Sequence, residues 1–168
     1  MKRLLHDLQR YTALQPGDPP ATEVDLAAAA SRAVAQLTPL VTASHADIVV
    51  GALPRVRGDA VQLQTLLRQL IENALVYRSP DRPPQVTVSA ERKGAMWAVS
   101  VRDNGIGIDT RFQERIFRVF ERLQPRHHVP GTGIGLAICR KIVERHGGRI
   151  ACTTDQPEGS TFIFTLAA

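Results

Sequence analysis

The sequence predicts an α/β fold, a two-layer sandwich in which helices cover one face of a mixed, mostly antiparallel sheet. Three observations predict it: a leucine-rich helical pattern in mid-chain, two alternating strand patterns after it, and a glycine-bounded helix before two closing strands. The 168 residues are 43% hydrophobic and 22% charged, which is typical of a single domain with a packed core.

The chain opens with a predicted helix over residues 1–14. Leu4, Leu8 and Tyr11 form an apolar seam there, at the roughly 3.5-residue spacing of a helix that packs along one stripe. A segment rich in proline and glycine over 15–20 follows and reads as a linker, because proline and glycine interrupt regular structure.

Two further helices are predicted before the middle of the chain. The first covers 26–43, with Asp25 as its N-cap, and a short strand over 48–50 follows it. The second begins after Asp59, and Gln62 completes a capping-box pattern. Its apolar positions recur every three or four residues and are Leu63, Leu66, Leu67, Leu70, Ile71 and Ala74.

The remaining elements are strands and one more helix. Alternating apolar residues over 85–92 and 95–103 predict a hairpin that turns at Lys93-Gly94. A helix between two groups of glycines comes next, and two closing strands are predicted over 149–154 and 160–166.

The composition excludes several classes of protein. The net charge of +5 comes mostly from scattered arginines, and with 5% aromatic residues there is no pattern typical of nucleic-acid binding. No window approaches the ~20 apolar residues of a membrane span. Cys139 and Cys152 are too few for a disulfide scaffold. We therefore expect a cytoplasmic domain that does not insert into a membrane.

A glycine-rich segment, DNGIGID over 103–109, directly follows a predicted strand. A plain turn is one interpretation of it. A calcium loop is excluded, because Gly105, Gly107 and Ile108 occupy positions that need oxygen ligands or the turn glycine.

A second glycine-rich segment, GTGIGL over 131–136, opens a helix. Backbone N–H groups at such a helix start bind anions, so the segment indicates either phosphate binding or close helix packing. It is not a Walker A loop, because no Lys-Ser/Thr pair follows the last glycine, and Leu136 stands where a dinucleotide fingerprint needs glycine.

Polar residues mark one face of the leucine-rich helix. Gln69, Asn73 and Tyr77 are spaced four apart and so share a face. Solvent exposure would explain a single polar residue there. Asparagine, however, is a mediocre helix former whose amide oxygen can bind Mg²⁺.

Taken in order, these segments resemble the ATP-binding catalytic domain of sensor histidine kinases, in the superfamily of the gyrase, heat-shock chaperone and MutL ATPases. The two glycine segments are most similar to those of the phytochrome-type kinases. The resemblance implies a Bergerat-type ATP-binding fold over 21–168, with 1–20 as the end of a dimerisation helix plus a linker. The matching motifs are the asparagine box at 69–77, the glycine boxes at 103–109 and 131–136, the phenylalanine box at 116–123 and the closing-strand motif at 159–162.

The resemblance also implies residue roles. Asp103 would accept a hydrogen bond from the adenine amine and be supported by Thr161, and Asn73 would bind Mg²⁺, with Gln69 as a possible second ligand. Residues 109–131 would form a mobile lid. Phe117 and Phe120 would anchor that lid. Further contacts to the nucleotide are expected from Tyr77, Arg78, Gly105, Gly107, Ile108, Arg122, Gly131, Thr132, Gly133, Gly135 and Leu136.

Three positions bear on the type of reaction. Gln69 stands where these kinases usually carry asparagine, and Val76 where they carry lysine, a loss for which Arg78 is the candidate substitute. The hydrolysing relatives have a glutamate at position 69 that activates water, and glutamine is not a base. Phosphoryl transfer, which depends mainly on positioning and electrostatics, is therefore favoured over hydrolysis.

The expected function is that of a protein histidine kinase fragment which binds Mg²⁺-ATP. It would donate the γ-phosphate to a histidine on a dimerisation domain largely absent from this chain. The segment HDLQ over 6–9 is similar to phytochrome-type acceptors, but Arg10-Tyr11 follows it where they have a Glu-Pro pair. We therefore expect no catalytic residue in the fragment and no autophosphorylation by it alone. The expected partners are that domain and a response regulator, in a homodimeric full-length protein. The alternatives are a nucleotide-binding module without transfer activity and a clamp-type ATPase.

Overall fold

The computed structural model describes residues 2–14, 17, 22–122, 132–154 and 158–168. The predicted linker, apart from residue 17, lies outside these residues. Two short 3₁₀ turns, Thr110–Phe112 and Arg115–Phe117, precede the last helix. The helices and strands are α1 (Lys2–Ala13), β1 (Thr22–Asp25), α2 (Leu26–Gln36), α3 (Thr38–Ser44), β2 (Asp47–Val50), β3 (Arg55–Gly58), α4 (Ala60–Val76), β4 (Gln85–Lys93), β5 (Met96–Asp103), α5 (Gly135–Arg145), β6 (Ile150–Thr153) and β7 (Thr161–Ala167).

Five strands form one sheet in the order β2-β4-β5-β7-β6. Strand β2 pairs parallel with β4, and the other three pairs are antiparallel. The β4–β5 hairpin turns through Gly94 at φ +62°, a left-handed conformation that glycine adopts without strain. The predicted mixed, mostly antiparallel sheet is therefore confirmed.

Helices α2, α4 and α5 pack against one face of this sheet. Along β4, β5 and β7 the buried side chains alternate with more accessible ones, as a sheet covered on one face requires. Helix α4 contacts both α2 and α5. The core between the layers includes Leu63, Leu66, Leu67, Leu70 and Ile71 from α4 and Val86, Val88, Val99, Val101, Phe162 and Phe164 from the sheet. Burying each of these side chains contributes about 1.5–3 kcal/mol relative to exposure.

The single helix predicted over 26–43 is wrong, because the chain forms two helices there. Helix α2 ends at Gln36, and Leu37 links it to α3 with non-helical dihedrals. Pro39 in the first turn of α3 explains the break, since proline lacks an N–H and its ring clashes with the carbonyl four residues earlier. The Asp25 cap is confirmed by a 3.2 Å hydrogen bond from the Ala28 N–H.

A second, small sheet was not predicted. Strands β1 and β3 pair antiparallel, with Val24 opposite Val56. Each strand is four residues long and buries one valine, which is too short a pattern for alternation to be recognised.

The capping box predicted for α4 forms only in part. The Asp59 carboxylate accepts the Gln62 N–H at 3.0 Å, as expected. The Asp59 N–H, however, donates to His146 Nε2 at 3.0 Å, and Gln62 Oε1 is buried without a hydrogen-bond partner in the described part of the chain. His146 Nδ1 lies 2.7 Å from the Ile142 carbonyl oxygen, so Nδ1 carries the hydrogen and Nε2 accepts.

Candidate functional site

Asp103, the last residue of β5, is buried at the end of the sheet and faces the helices. Its carboxylate accepts the Gly105 N–H at 2.8 Å, the Ser160 N–H at 3.3 Å and the Ser160 hydroxyl at 3.0 Å. Burial raises the pKa of Asp103, and these hydrogen bonds oppose the shift only in part. The side chain lines a cavity beside Ile106, Gly107 and Ile108.

The side chain that supports Asp103 is Ser160, not Thr161. Ser160 immediately precedes β7 and has the same parity as buried Phe162, so it points toward the helices. Thr161 lies opposite Arg102 in the neighbouring strand, and because side chains alternate along a strand, it points to the other face of the sheet. The expectation for Thr161 was therefore off by one residue. A small polar residue at the start of the closing strand was the available signal for Ser160.

The first glycine segment is shaped by close backbone contacts. A Cβ on Gly105 would lie 2.4 Å from the Tyr77 carbonyl oxygen, which already accepts the Ile106 N–H at 3.1 Å. Gly107 has φ +75°, in the left-handed region that favours glycine. Gly105 is thus required by packing against the end of α4, and it contributes its N–H to Asp103.

The polar face of α4 opens onto a second cavity, which adjoins the first. Gln69, Asn73 and Tyr77 all line it, as their four-residue spacing predicted. Within the described residues the Asn73 side-chain amide has no hydrogen-bond partner, so its oxygen is open to a ligand. Burial raises the pKa of the Tyr77 hydroxyl, against an opposing effect of Arg122.

The start of α5 forms the opposite wall of this second cavity. Thr132, Gly133, Gly135 and Leu136 line it, whereas Gly131 lies outside the described residues. The N-cap residue Ile134 makes no side-chain cap, so the first N–H groups of α5 keep their capacity to bind an anion. A Cβ on Gly135 would lie 2.4 Å from Gln69 Nε2, which shows how closely the two helices approach.

The segment expected to form the lid is described as far as Arg122. Phe117 is buried and packs edge-on against Phe162, with ring centroids 6.1 Å apart, as an anchor would. Phe120 is 57% exposed, so its ring is not an anchor, and the expectation for it is wrong. The Phe120 N–H instead donates to the Gly133 carbonyl at 2.7 Å, and Ile116 is the second buried apolar side chain.

The two cavities form one cleft, because they share part of their walls. At one end lies Asp103 with the first glycine segment, and at the other lies the start of α5 with Gln69. Six residues line both cavities, at the place where the cavities meet: Asn73, Tyr77, Ile116, Glu121, Arg122 and Leu136. The structure therefore brings the polar helix face and both glycine segments to a single cleft.

Arg78 does not meet the expectation that it substitutes for a lysine at this cleft. Helix α4 ends at Val76 and Tyr77 is its C-cap, so Arg78 no longer follows the helical spacing of Asn73. It is exposed and lines a separate open cavity with His45 and Pro80. Val76 itself forms an apolar part of the cleft wall.

An arginine that the sequence did not indicate holds the first glycine segment in place. Arg82 donates from Nε and Nη2 to the Asn104 carbonyl at 3.0 and 2.8 Å, and its Nη1 pairs with Glu158 at 2.8 Å. The Asn104 side chain accepts the Gln85 N–H at 2.8 Å. The backbone next to Asp103 is therefore fixed from two sides.

Two features are absent from the described residues. Within the part of the chain that the structure describes, no three His, Cys, Asp or Glu side chains come together as a metal site. In that same part, every helix is too short or too polar to traverse a lipid bilayer.

This architecture is shared with known kinases. The chain and the phytochrome-like protein Cph1 of Synechocystis sp. are 38% identical over 166 residues. The aligned region covers 99% of this chain and 22% of Cph1. The chain thus spans about a fifth of the length of that relative. The catalytic domain of histidine kinase ThkA, in a nucleotide-free form, superposes with a TM-score of 0.74 at 26% identity over 88% of this chain and 95% of that one.

A third similarity concerns the fold alone. Full-length ShkA in complex with AMPPNP superposes with a TM-score of 0.81 at 22% identity, over 98% of this chain and 36% of that one. Residues 58–168 match the model of the histidine kinase-, DNA gyrase B- and HSP90-like ATPase family. The chain therefore belongs to the histidine kinase-like ATPase family.

Proposed function

We propose that this domain binds Mg²⁺-ATP and donates the γ-phosphate to a histidine on a dimerisation domain outside this chain. One observation carries the proposal: a buried carboxylate, an unpartnered asparagine amide and an uncapped helix start line a single cleft. These are an acceptor for a base amine, a ligand for a hard cation and a site for phosphate.

Each end of the cleft then has its own role. Asp103 accepts a hydrogen bond from the adenine amine, beside Gly107 and Ile108. The amides of residues 131–136 hold the phosphates, with Arg122 near them. Asn73 holds Mg²⁺, with Gln69 as a second possible ligand, and the ion neutralises charge on the phosphate oxygens when bound.

Transfer is favoured over hydrolysis, because Gln69 is an amide and cannot act as the general base that a glutamate at this position would supply. Of the described carboxylates that line this cavity, Glu72 pairs with Arg3 and Arg68, and Glu121 Oε2 lies 3.4 Å from Arg115 Nη2. The third, Asp7, accepts a hydrogen bond from the Thr132 hydroxyl. The base for transfer would come from the domain that carries the histidine.

The proposed partners follow from the proposed reaction. They are the dimerisation domain with its acceptor histidine, a second copy of the full-length protein, and a response regulator. ThkA has been solved in complex with the response regulator TrrA. Residues 1–20 would be the end of the dimerisation helix with its linker, and 21–168 the ATP-binding domain.

Asp103→Asn tests the binding part of the proposal. The Gly105 and Ser160 N–H groups both donate to Oδ1, so the amide oxygen of asparagine takes that place and its NH2 group replaces the other oxygen. An NH2 group cannot accept from the adenine amine, so we expect the affinity for a non-hydrolysable ATP analogue to fall at least ~10-fold. Asp47→Asn, which removes the same charge from exposed strand β2, is the matched control and should leave the affinity unchanged. Titration calorimetry measures both. Equal affinity in wild type and Asp103→Asn would refute the adenine role.

Reconstitution tests the transfer part. The chain is mixed with a dimerisation domain that carries an acceptor histidine, and γ-labelled ATP is added. Label on that histidine supports a kinase. Bound ATP without label indicates a binding module, a result that Val76 would help to explain. Steady phosphate release by the chain alone indicates a clamp-type ATPase.

A further inference from the structure

Helix α1 lies across the α5 end of the cleft and places a carboxylate in it. Asp7 Oδ2 accepts a hydrogen bond from the Thr132 hydroxyl at 2.7 Å, across 125 residues of sequence. Asp7 and Arg3 both line the cavity that contains Asn73 and Gly133. The N-terminal helix is therefore part of the wall where the proposed phosphates bind.

None of the three cationic side chains of α1 forms an ion pair with Asp7 in the described part of the chain, and Arg3, which lines the same cavity, pairs with Glu72 instead. Arg3 Nη2 donates to Glu72 Oε1 at 2.7 Å, and Glu72 also pairs with Arg68 at 2.8 Å. The Thr132 hydroxyl has one hydrogen to donate, and Asp7 takes it. A phosphate that needs this hydroxyl has to compete with a carboxylate.

Asp7 lies at the end of the cleft that is remote from Asp103. The cavity lined by Asp103 contains neither Asp7 nor Thr132, and the cavity lined by Asp7 does not contain Asp103. A nucleotide whose base sits at Asp103 therefore directs its outermost phosphate toward Asp7. A diphosphate is one phosphate group shorter, so its last phosphate would lie farther from Asp7 than that of a triphosphate.

The contacts that hold α1 in place are partly exposed, and apart from the Tyr11 ring, which packs partly against the core, those described are polar. No residue of α1 is buried. Arg10 donates to the Thr65 hydroxyl at 3.3 Å, and Lys141 Nζ donates to the Tyr11 carbonyl at 3.0 Å while lying 4.1 Å from the Tyr11 ring centroid. Partly exposed polar contacts of this kind are each weak, so a ligand can displace the helix.

We propose that Asp7 determines nucleotide specificity by opposing the terminal phosphate of ATP while α1 is docked. The inference rests on the proposed function of the cleft. ADP binds with α1 in place, whereas ATP binds at the cost of the Asp7–Thr132 hydrogen bond. By reciprocity, ATP releases α1 from the cleft and ADP does not.

The test compares Asp7→Asn with wild type in the full 168-residue chain. Asparagine keeps an acceptor for Thr132 and removes the charge. With Mg²⁺ present, we expect AMPPNP to bind about fivefold more tightly to the variant, and the gain to shrink at high salt because the effect is electrostatic. The ADP affinity should stay within about twofold. Glu91→Gln, which removes a charge from an exposed position of β4, is the matched control and should change neither affinity.

Limited trypsin digestion after Arg10 gives a second measurement on wild-type protein. AMPPNP should accelerate this cleavage several-fold, because it undocks α1, and ADP should not. Equal cleavage rates with the two nucleotides would count against displacement of the helix.

The outcomes separate this inference from the proposed function. AMPPNP binding that is unchanged or weaker in Asp7→Asn overturns the inference alone, and weaker binding would make Asp7 a favourable ligand of the metal or phosphate. An equal gain for AMPPNP and ADP also overturns it. Binding of neither nucleotide to wild type and variant overturns the proposed function, and the inference with it.

Discussion

Asp103 shows how one residue can be both costly to the fold and necessary for binding. Its burial disfavours the carboxylate, and three hydrogen bonds from Gly105 and Ser160 offset part of that cost. A raised pKa means that the native state holds this proton at pH values where the unfolded chain has lost it. Proton binding by Asp103 therefore stabilises the native state. This stabilisation is fully present below the pKa of Asp103 in the unfolded chain and is lost as the pH rises through its pKa in the folded protein.

Ligand binding should have the opposite pH dependence at this residue. The adenine amine needs the ionised form of Asp103, so the affinity for AMPPNP should fall as the pH drops through the raised pKa. Ser160→Ala removes a hydrogen bond that favours the carboxylate, so the pKa should rise further and the loss should begin at higher pH. Titrations between about pH 4 and pH 8 measure the wild type and the variant. The titration of the nucleotide itself cancels in the comparison, and coincident profiles would contradict the prediction.

At the scale of elements, α4 and α5 are joined at both ends. Near the cleft, Gly135 allows α5 to approach Gln69 on α4. At the other end, His146 after α5 accepts the N–H of Asp59, the N-cap of α4. Because α4 carries Asn73, these contacts fix the position of the proposed metal ligand relative to the α5 amides.

His146→Ala should therefore destabilise the domain by about 1–3 kcal/mol, since it leaves the Asp59 N–H without its acceptor. Gln62→Ala is the matched control at the same helix start. It removes a buried, unpartnered oxygen and should cost under about 1 kcal/mol, whereas a capping box would make it the more damaging change. Urea unfolding of both variants measures the difference. A larger loss in Gln62→Ala would mean that the capping box forms after all.

On the scale of the whole molecule, the protein is a packed α/β layer structure with a helix attached to its surface. The core is built from residues between Val24 and Leu166, and α1 contributes none of its fully buried members. Tyr11 and Leu14 pack against that core only in part. The helix is thus better placed to change its position than to stabilise the fold.

Removal of residues 1–21 should leave the domain folded. We expect an unchanged far-UV spectrum and a loss of no more than about 2 kcal/mol in urea unfolding, because the contacts described for α1 are partly exposed. Leu67→Ala in the full chain is the comparison, with an expected loss of about 2–5 kcal/mol from a core cavity. A truncated chain that fails to fold, or loses more than Leu67→Ala, would show that α1 is structural.

The amino-acid sequence by itself determined the long elements, the layer architecture and the segments that form the cleft. Strict apolar spacing, as in the leucines of α4 and the valines of β4, requires one buried face whatever the rest of the chain does. The glycines of 103–109 and 131–136 likewise mark local backbone requirements. Pro39 is also a local signal for the break between α2 and α3, but the alanine-rich pattern around it predicts one continuous helix.

Only the tertiary structure decided which distant atoms pair. Asp103 is supported by Ser160, 57 residues away, Asp59 by His146, 87 residues away, and Thr132 by Asp7, 125 residues away. A local pattern shows that a donor or an acceptor needs a partner, but many polar side chains satisfy that need equally well. The choice among them depends on how the helices and strands pack, and that packing is a property of the whole chain.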